Sequence, residues 1–154
     1  MTKQNPKEKN IRHLKIAYLI AAFLAFLTGA AIYAFYRNIN NMALFDFIPK
    51  PKILVSLYNP IKTETIWSNM FIYNLPYGLW CLSGLFFVRS VWLQNEKWRA
   101  IYSYIYIAIV MSYVLLKIPR ITTGTFDVLD LIFMVTFAFI ESLIFKMFIN
   151  RRIL

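Results

Sequence analysis

Four long apolar runs constrain what this chain can fold into more than any other feature. They cover residues 16–36, 70–89, 100–116 and 128–149, with polar stretches between them. A helix of about 20 apolar residues crosses the hydrocarbon core of a bilayer, and in lipid every backbone polar group must be bonded internally. The runs therefore predict an all-α polytopic membrane protein, a bundle of about four transmembrane helices.

The composition indicates one membrane domain with a short tail. Hydrophobic residues make up 60% of the 154 residues and charged residues 16%, whereas a soluble domain has roughly 45–50% apolar and about 25% charged residues. Residues 1–13 are polar and basic and are predicted to be a cytoplasmic tail, so residues 14–154 form a single transmembrane helical domain. The first run is longer than the roughly 7–15 apolar residues of a signal peptide, so we expect an uncleaved helix.

The positions of the Lys and Arg residues predict how the helices are oriented. With four spans, one side of the membrane holds eleven of the 17 positive residues and the other side holds six. Positive residues accumulate on the cytoplasmic side, so both the N- and C-termini are predicted to be cytoplasmic. The six on the other side are Arg37, Lys50, Lys52, Lys62, Lys117 and Arg120.

The net charge of +10 also bears on partners. Most of the positive residues lie at the ends of apolar runs or in the N-terminal tail, and they form no basic face suited to nucleic acid. Anionic membrane lipid is attracted to charges placed in this way. We therefore expect membrane lipid as a partner and no nucleic acid.

Catalytic and metal-binding motifs are missing from the sequence. Cys81 is the one cysteine and His13 the one histidine, so the Cys and His ligands of a zinc site are too few. There is no nucleophile elbow, no P-loop and no HExxH motif. We therefore expect no enzyme activity, no cofactor and no bound metal.

Small residues recur every fourth position in the first run, at Ala17, Ala21, Ala25 and Gly29. Such a row lets two helices approach closely in lipid, where van der Waals packing replaces the hydrophobic drive. We favour packing against another helix of the same chain. A homodimer seam, or a docking face for a larger complex, is the alternative.

Three acidic residues of the last run, Asp127, Asp130 and Glu141, fall on nearly one helical face, because eleven residues make close to three turns. Asp127 and Asp130 lie at the start of the helix, where carboxylates cap free N–H groups and complement the helix dipole. We favour this capping role over contact with a ligand, and Thr125 is a further candidate cap.

Glu141 lies deep in the membrane, thirteen residues beyond Val128, which is roughly 20 Å along a helix axis. A charge at mid-membrane costs roughly 2.5–3.5 kcal/mol on insertion scales, so such a residue is usually paired, protonated or functional. Arg89 and Lys15 are the candidate partners for an ion pair. A proton or substrate relay is the alternative, but it would need several titratable groups, and the sequence identifies none on the other helices.

Two segments together resemble the VanZ-like family of small bacterial membrane proteins. One is NLPYGLW, Asn74–Trp80, at the head of the second run, and the other is GTFDVLD, Gly124–Asp130, just before the fourth. The four-span layout also fits, and the resemblance covers the chain loosely from Met70 onward. The family usually has a Glu and a Gln three residues apart near the end of the third helix, but residues 111–120 here read MSYVLLKIPR.

The resemblance implies a location in a bacterial inner (cytoplasmic) membrane and a cell-envelope role without enzymatic activity. The family is named for an accessory protein of glycopeptide-resistance clusters that lowers susceptibility to teicoplanin. On this resemblance Gly124, Phe126, Asp127 and Asp130 are candidates for contact with a ligand or partner. The polar Asn and Gly that the family carries in its last helix are replaced here by residues 133–135, which are Phe, Met and Val.

Three hypotheses for function follow from the sequence. The first is a VanZ-like envelope protein whose outward loops meet an extracytoplasmic ligand or a lipid-linked molecule. The second is an accessory subunit of a larger inner-membrane complex, with other membrane-protein subunits packed on the Ala17–Gly29 row. The third is a small proton-coupled transporter component centred on Glu141.

The predicted orientation is tested with reporter fusions. Reporters fused after Leu154 or within residues 94–97 should read cytoplasmic, and reporters near Lys52 or Thr122 should read extracytoplasmic, because the positive residues are concentrated on the first of these sides. An alkaline phosphatase and a fluorescent protein fused at each site supply opposite readouts. Opposite readings at the two ends of the chain would contradict four crossings.

Overall fold

The computed structural model describes residues 6–36, 65–118 and 127–152. This part of the chain is helical and contains no strand, which confirms the predicted all-α fold. The helices, numbered in chain order, are α1 Pro6–Tyr36, α2 Ile66–Tyr73, α3 Leu75–Val91, α4 Glu96–Leu115 and α5 Val128–Arg152.

Four stretches of helix are long and apolar enough to cross a membrane, as the sequence predicted. They are Glu8–Tyr36, Met70–Val91, Glu96–Leu115 and Val128–Phe148. The bounds differ from the predicted spans by a few residues, except at the N-terminus. There the helix begins at Pro6 rather than near residue 16, because Ile11 and Leu14 already pack into the bundle and Glu8 complements the helix dipole in the first turn.

The second span consists of α2 and α3, which are separated by a break at Asn74. Pro76 lies in the first turn of α3. Proline has no N–H to donate to the backbone carbonyl four residues earlier, and its ring clashes with that carbonyl. The first helix therefore ends before Pro76, and a new helix begins at Leu75. The break leaves the Asn74 side chain without a capping bond in its own helix.

Helix α3 is the centre of the bundle. It packs against α1, α4 and α5, whereas α4 and α5 contact each other only at a few positions. One cluster of buried apolar residues lies between α3, α4 and α5 and contains Cys81, Leu85, Val114 and Met134. A second cluster lies nearer the end of α3 and contains Leu14, Tyr18, Ala22, Phe86, Leu93 and Phe145.

The four small residues of the row on α1 differ in burial. Ala25 and Gly29 are buried and Ala21 is half-buried, but Ala17 is exposed. A strict four-residue spacing drifts around a helix of 3.6 residues per turn by about 40° at each step. Ala17, at the start of the row, is therefore turned away from the buried face. The buried stripe mixes three- and four-residue steps and runs through Leu14, Tyr18, Ala22, Ala25 and Gly29.

The part of the row that is buried packs within the chain, against α3. A Cβ atom added at Gly29 would lie 2.8 Å from Nε1 of Trp80 and 3.4 Å from Cβ of Leu79. The Ser83 hydroxyl donates a hydrogen bond to the backbone carbonyl of Ala22 at 2.7 Å. Both contacts favour the interpretation that these small residues let α1 lie close to α3.

Candidate functional site

Five polar residues meet where α3 and α5 begin and α4 ends. This Asn74 cluster consists of Asn74, Tyr77, Lys117, Asp127 and Asp130. Nδ2 of Asn74 donates to Oδ2 of Asp127 at 3.0 Å and to Oδ1 of Asp130 at 3.2 Å. Nζ of Lys117 donates to the Tyr77 hydroxyl at 2.9 Å and lies 3.3 Å from Oδ2 of Asp130, where it forms an ion pair.

The helix ends explain why these groups meet. Asn74 occupies the break before α3, so its side chain is free to bond across to α5. Asp127 precedes α5, and its Oδ1 accepts the backbone N–H of Leu129 at 2.9 Å. That is the capping contact predicted from the sequence for Asp127. Asp130 lies one turn further, and its carboxylate bonds instead to Asn74 and Lys117 on other helices.

The Asn74 cluster is buried despite its polarity. Asn74 is 2% exposed, and Lys117 and Asp130 are each 3% exposed. Burial lowers the pKa of Lys117, but the hydrogen bond to Tyr77 and the charge of Asp130 outweigh it, so the pKa is raised overall. The Lys117 ammonium also lies 4.3 Å from the centroid of the Tyr77 ring, and the ring face attracts a cation. Lys117 is therefore held in its charged form.

The formal charges of the Asn74 cluster indicate what it can bind. Two carboxylates and one ammonium leave one negative charge, and Asp127 is the charged member that is only half-buried. A carboxylate oxygen accepts hydrogen bonds and attracts cations. The cluster therefore favours a ligand that presents hydrogen-bond donors or a positive charge over an anion.

The two segments that carry the family resemblance meet in this cluster. Asn74 is the first residue of NLPYGLW, and Asp127 and Asp130 belong to GTFDVLD. They lie 53 and 56 residues from Asn74 in the sequence and are joined to it by direct hydrogen bonds. Gly124 and Phe126, the other candidates from that segment, lie outside the described residues.

A second polar site lies between α1, α3, α4 and α5. This Glu141 cluster consists of Tyr18, Arg89, Arg99, Glu141 and Phe145. Glu141 has an exposure of 0%, and its Oε2 lies 3.0 Å from Nη2 of Arg89. The guanidinium groups of Arg89 and Arg99 lie 4.3 and 4.6 Å from the centroid of the Phe145 ring.

The ion pair predicted for Glu141 is therefore made with Arg89 and not with Lys15. The two groups are at ion-pair distance but outside hydrogen-bond geometry, so the attraction is electrostatic and not directional. Nη2 of Arg89 instead donates a hydrogen bond to the Ser142 hydroxyl at 3.0 Å. Both charges are thus held at the contact between α3 and α5.

Sequence reasoning missed Tyr18 and Arg99 as members of the Glu141 cluster, and Asn74 and Lys117 as the partners of Asp130. Tyr18 stands inside an apolar run, where a tyrosine is not distinctive, and Lys117 was counted only as a charge that orients the helices. The available signal for Tyr18 was its place on the same stripe of α1 as Leu14 and Ala22. Within the described part of the chain, no group of three metal-ligating side chains lies together.

Compared with protein families, curated proteins and solved structures, the chain matches none of them. Its function is therefore inferred from the two clusters and from the sequence resemblance.

The ion pair of the Glu141 cluster gives a stability prediction. Glu141→Leu should lower the free energy of unfolding by about 3–5 kcal/mol, because it leaves Arg89 largely buried without its counter-charge. Arg89→Met combined with Glu141→Leu should recover most of this loss, since neither charge is then left alone. The measurement is the unfolding midpoint in an SDS titration, together with abundance in membranes.

Glu96→Leu is the matched control, because Glu96 is an exposed carboxylate at the start of α4. It should leave the midpoint almost unchanged. A double variant no more stable than Glu141→Leu alone would show that the pair does not hold α3 against α5.

Proposed function

We propose that this chain is a VanZ-like integral membrane protein of the bacterial cell envelope, without enzymatic activity. We propose further that its Asn74 cluster is the site that meets an extracytoplasmic ligand or lipid-linked molecule. The observation that carries the proposal is the pair of hydrogen bonds from Asn74 to Asp127 and Asp130. They bring together the two segments on which the resemblance rests, from opposite ends of the matching region.

The position of the Asn74 cluster supports a role outside the cytoplasm. The predicted orientation places the start of α3, the end of α4 and the start of α5 on the extracytoplasmic side. Asp127 is half-buried there, with one carboxylate oxygen bonded to Leu129 and the other to Asn74. The bond from the buried Asn74 holds Asp127 in place, and Asp127 is the charged member that a ligand could reach first.

Asp127→Asn tests this proposal while keeping the helix cap. Asparagine is as good an N-cap as aspartate, so the bond to Leu129 is kept. The negative charge and the oxygen that accepts from Asn74 are removed. In a strain that lacks the gene, wild-type protein should restore the normal susceptibility to antibiotics acting on the cell wall, teicoplanin among them. Asp127→Asn should fail to restore it at the same abundance in membranes.

Susceptibility to an antibiotic that acts on the ribosome is the matched control and should not change. Asp127→Ala separates the capping role, because loss of the cap costs roughly 0.5–2 kcal/mol and should lower abundance as well. Full complementation by Asp127→Asn would contradict a ligand-contacting role for this residue and leave only its role as a cap.

An accessory subunit of a larger inner-membrane complex is a second candidate, favoured by the exposure of α4. Ser103 and Val114 are its buried residues, while Tyr104 is 74% and Ile109 63% exposed. Lipid can cover such a face, and so can another subunit. After mild solubilisation, a subunit would migrate with fixed partners, whereas a protein that acts by itself would migrate alone.

A proton-coupled transporter component is a third candidate, favoured by the Glu141 cluster. The sequence alone identified no titratable groups on other helices that could form a proton relay with Glu141. In the structure, Tyr18 on α1 and Arg89 on α3 both lie within electrostatic range of Glu141. A proton-carrying Glu141 would leave Glu141→Gln well folded and inactive. It would also leave the double Arg89→Met, Glu141→Leu variant inactive even where its stability is recovered.

A further inference from the structure

Four buried polar atoms of the Glu141 cluster have no hydrogen-bond partner among the described residues. They are Oη of Tyr18, Nε of Arg89, and Oε1 and Oε2 of Glu141. They come from three helices, α1, α3 and α5. Buried polar groups are nearly always hydrogen-bonded to protein or to ordered water, so unpaired atoms from three helices point to a bound species.

The Phe145 ring brings these atoms into one region. Phe145 follows Glu141 by one helical turn, so both lie on the buried face of α5. The Tyr18 ring packs edge-on against Phe145 at 5.9 Å between centroids. The Arg89 guanidinium lies 4.3 Å from the same ring and 3.0 Å from Glu141. Tyr18 is itself 5% exposed, and its hydroxyl is buried.

The chemistry of the unpaired atoms identifies the ligand. Tyr18 and Arg89 offer N–H or O–H donors, and both oxygens of Glu141 are acceptors. The bound species must therefore accept and donate hydrogen bonds at once. It must also be small, because the four atoms are inaccessible from the surface. A metal cation fits poorly beside two guanidinium groups, which repel it.

We propose that the Glu141 cluster is an internal water-binding site. At least one water molecule accepts from Arg89 Nε, donates to the Glu141 carboxylate and hydrogen-bonds the Tyr18 hydroxyl. Buried waters typically make about three hydrogen bonds to otherwise unpaired groups, which matches the number of residues here. This water gives the carboxylate the directional hydrogen bonds that the ion pair with Arg89 does not supply. The proposal does not depend on the function proposed for the Asn74 cluster.

Hydroxyl-radical footprinting of the full chain in lipid nanodiscs tests this site. X-rays generate hydroxyl radicals from water, and a side chain beside a bound water is modified even when bulk solvent cannot reach it. Tyr106 is the matched control, because its hydroxyl already donates to the Trp80 carbonyl at 2.9 Å and it is less buried than Tyr18. Tyr18 should be modified severalfold faster than Tyr106, whose hydroxyl already has a protein partner.

Modification of Tyr18 no faster than that of Tyr106 would overturn the proposal.

A second measurement uses the melting temperature in the same nanodiscs. Tyr18→Phe should lower the melting temperature if the Tyr18 hydroxyl is hydrogen-bonded to a water. Tyr106→Phe should also lower it, because it removes the direct hydrogen bond to the Trp80 carbonyl. An unchanged or raised melting temperature for Tyr18→Phe would mean that the hydroxyl is truly unpaired, which also overturns the proposal.

Discussion

Two buried ion pairs fix how the helices of this bundle lie against one another. Asp130 and Glu141, both on the buried face of α5, pair with Lys117 just beyond α4 and with Arg89 on α3. Within lipid the hydrophobic effect does little to choose one helix pairing over another, so close packing and polar contacts do. A slip of α5 by one turn would leave both acids without their cations, at a cost of several kcal/mol each.

The two clusters lie at different depths of the bundle, with apolar packing between them. Asn74 and Arg89 are fifteen residues apart along the second span, roughly 22 Å. Cys81, Leu85 and Met134 fill the space between. The Asn74 cluster joins three helix ends, and the Glu141 cluster joins all four spans through side chains. Each can therefore serve its own role, the first at the helix ends and the second among the side chains of the four spans.

The fold was largely predictable from the sequence, because lipid imposes simple requirements on a chain. The four spans, the cap at Asp127 and an ion pair of Glu141 with either Arg89 or Lys15 were predicted from hydropathy, helix-end chemistry and the cost of buried charge. The structure selects Arg89. Each of these features depends on a local property of the sequence or on the large free-energy cost of burying an unpaired charge.

The composition of the sites was less predictable, because a sequence indicates the face on which a residue lies but not what that face meets. Ala17 has the right residue type and spacing, yet helical drift turns it out of the contact. From the sequence, Lys117 was counted only among the charges that orient the helices, whereas in the structure it forms an ion pair with Asp130 on α5. Asn74 and Tyr18 gain their importance only from neighbours more than fifty residues away.

The claim that buried ion pairs set the arrangement is tested most directly by distances measured in a bilayer. Solid-state NMR on protein labelled with ¹⁵N at lysine and arginine side chains and with ¹³C at carboxyl groups reports such contacts. The account predicts dipolar transfer from Lys117 Nζ to the Asp130 carboxyl and from the Arg89 guanidinium to the Glu141 carboxyl, at contact distance. Loss of the first transfer in Asp130→Asn and of the second in Glu141→Gln would assign each signal to its ion pair. No transfer in the wild-type protein would contradict the account.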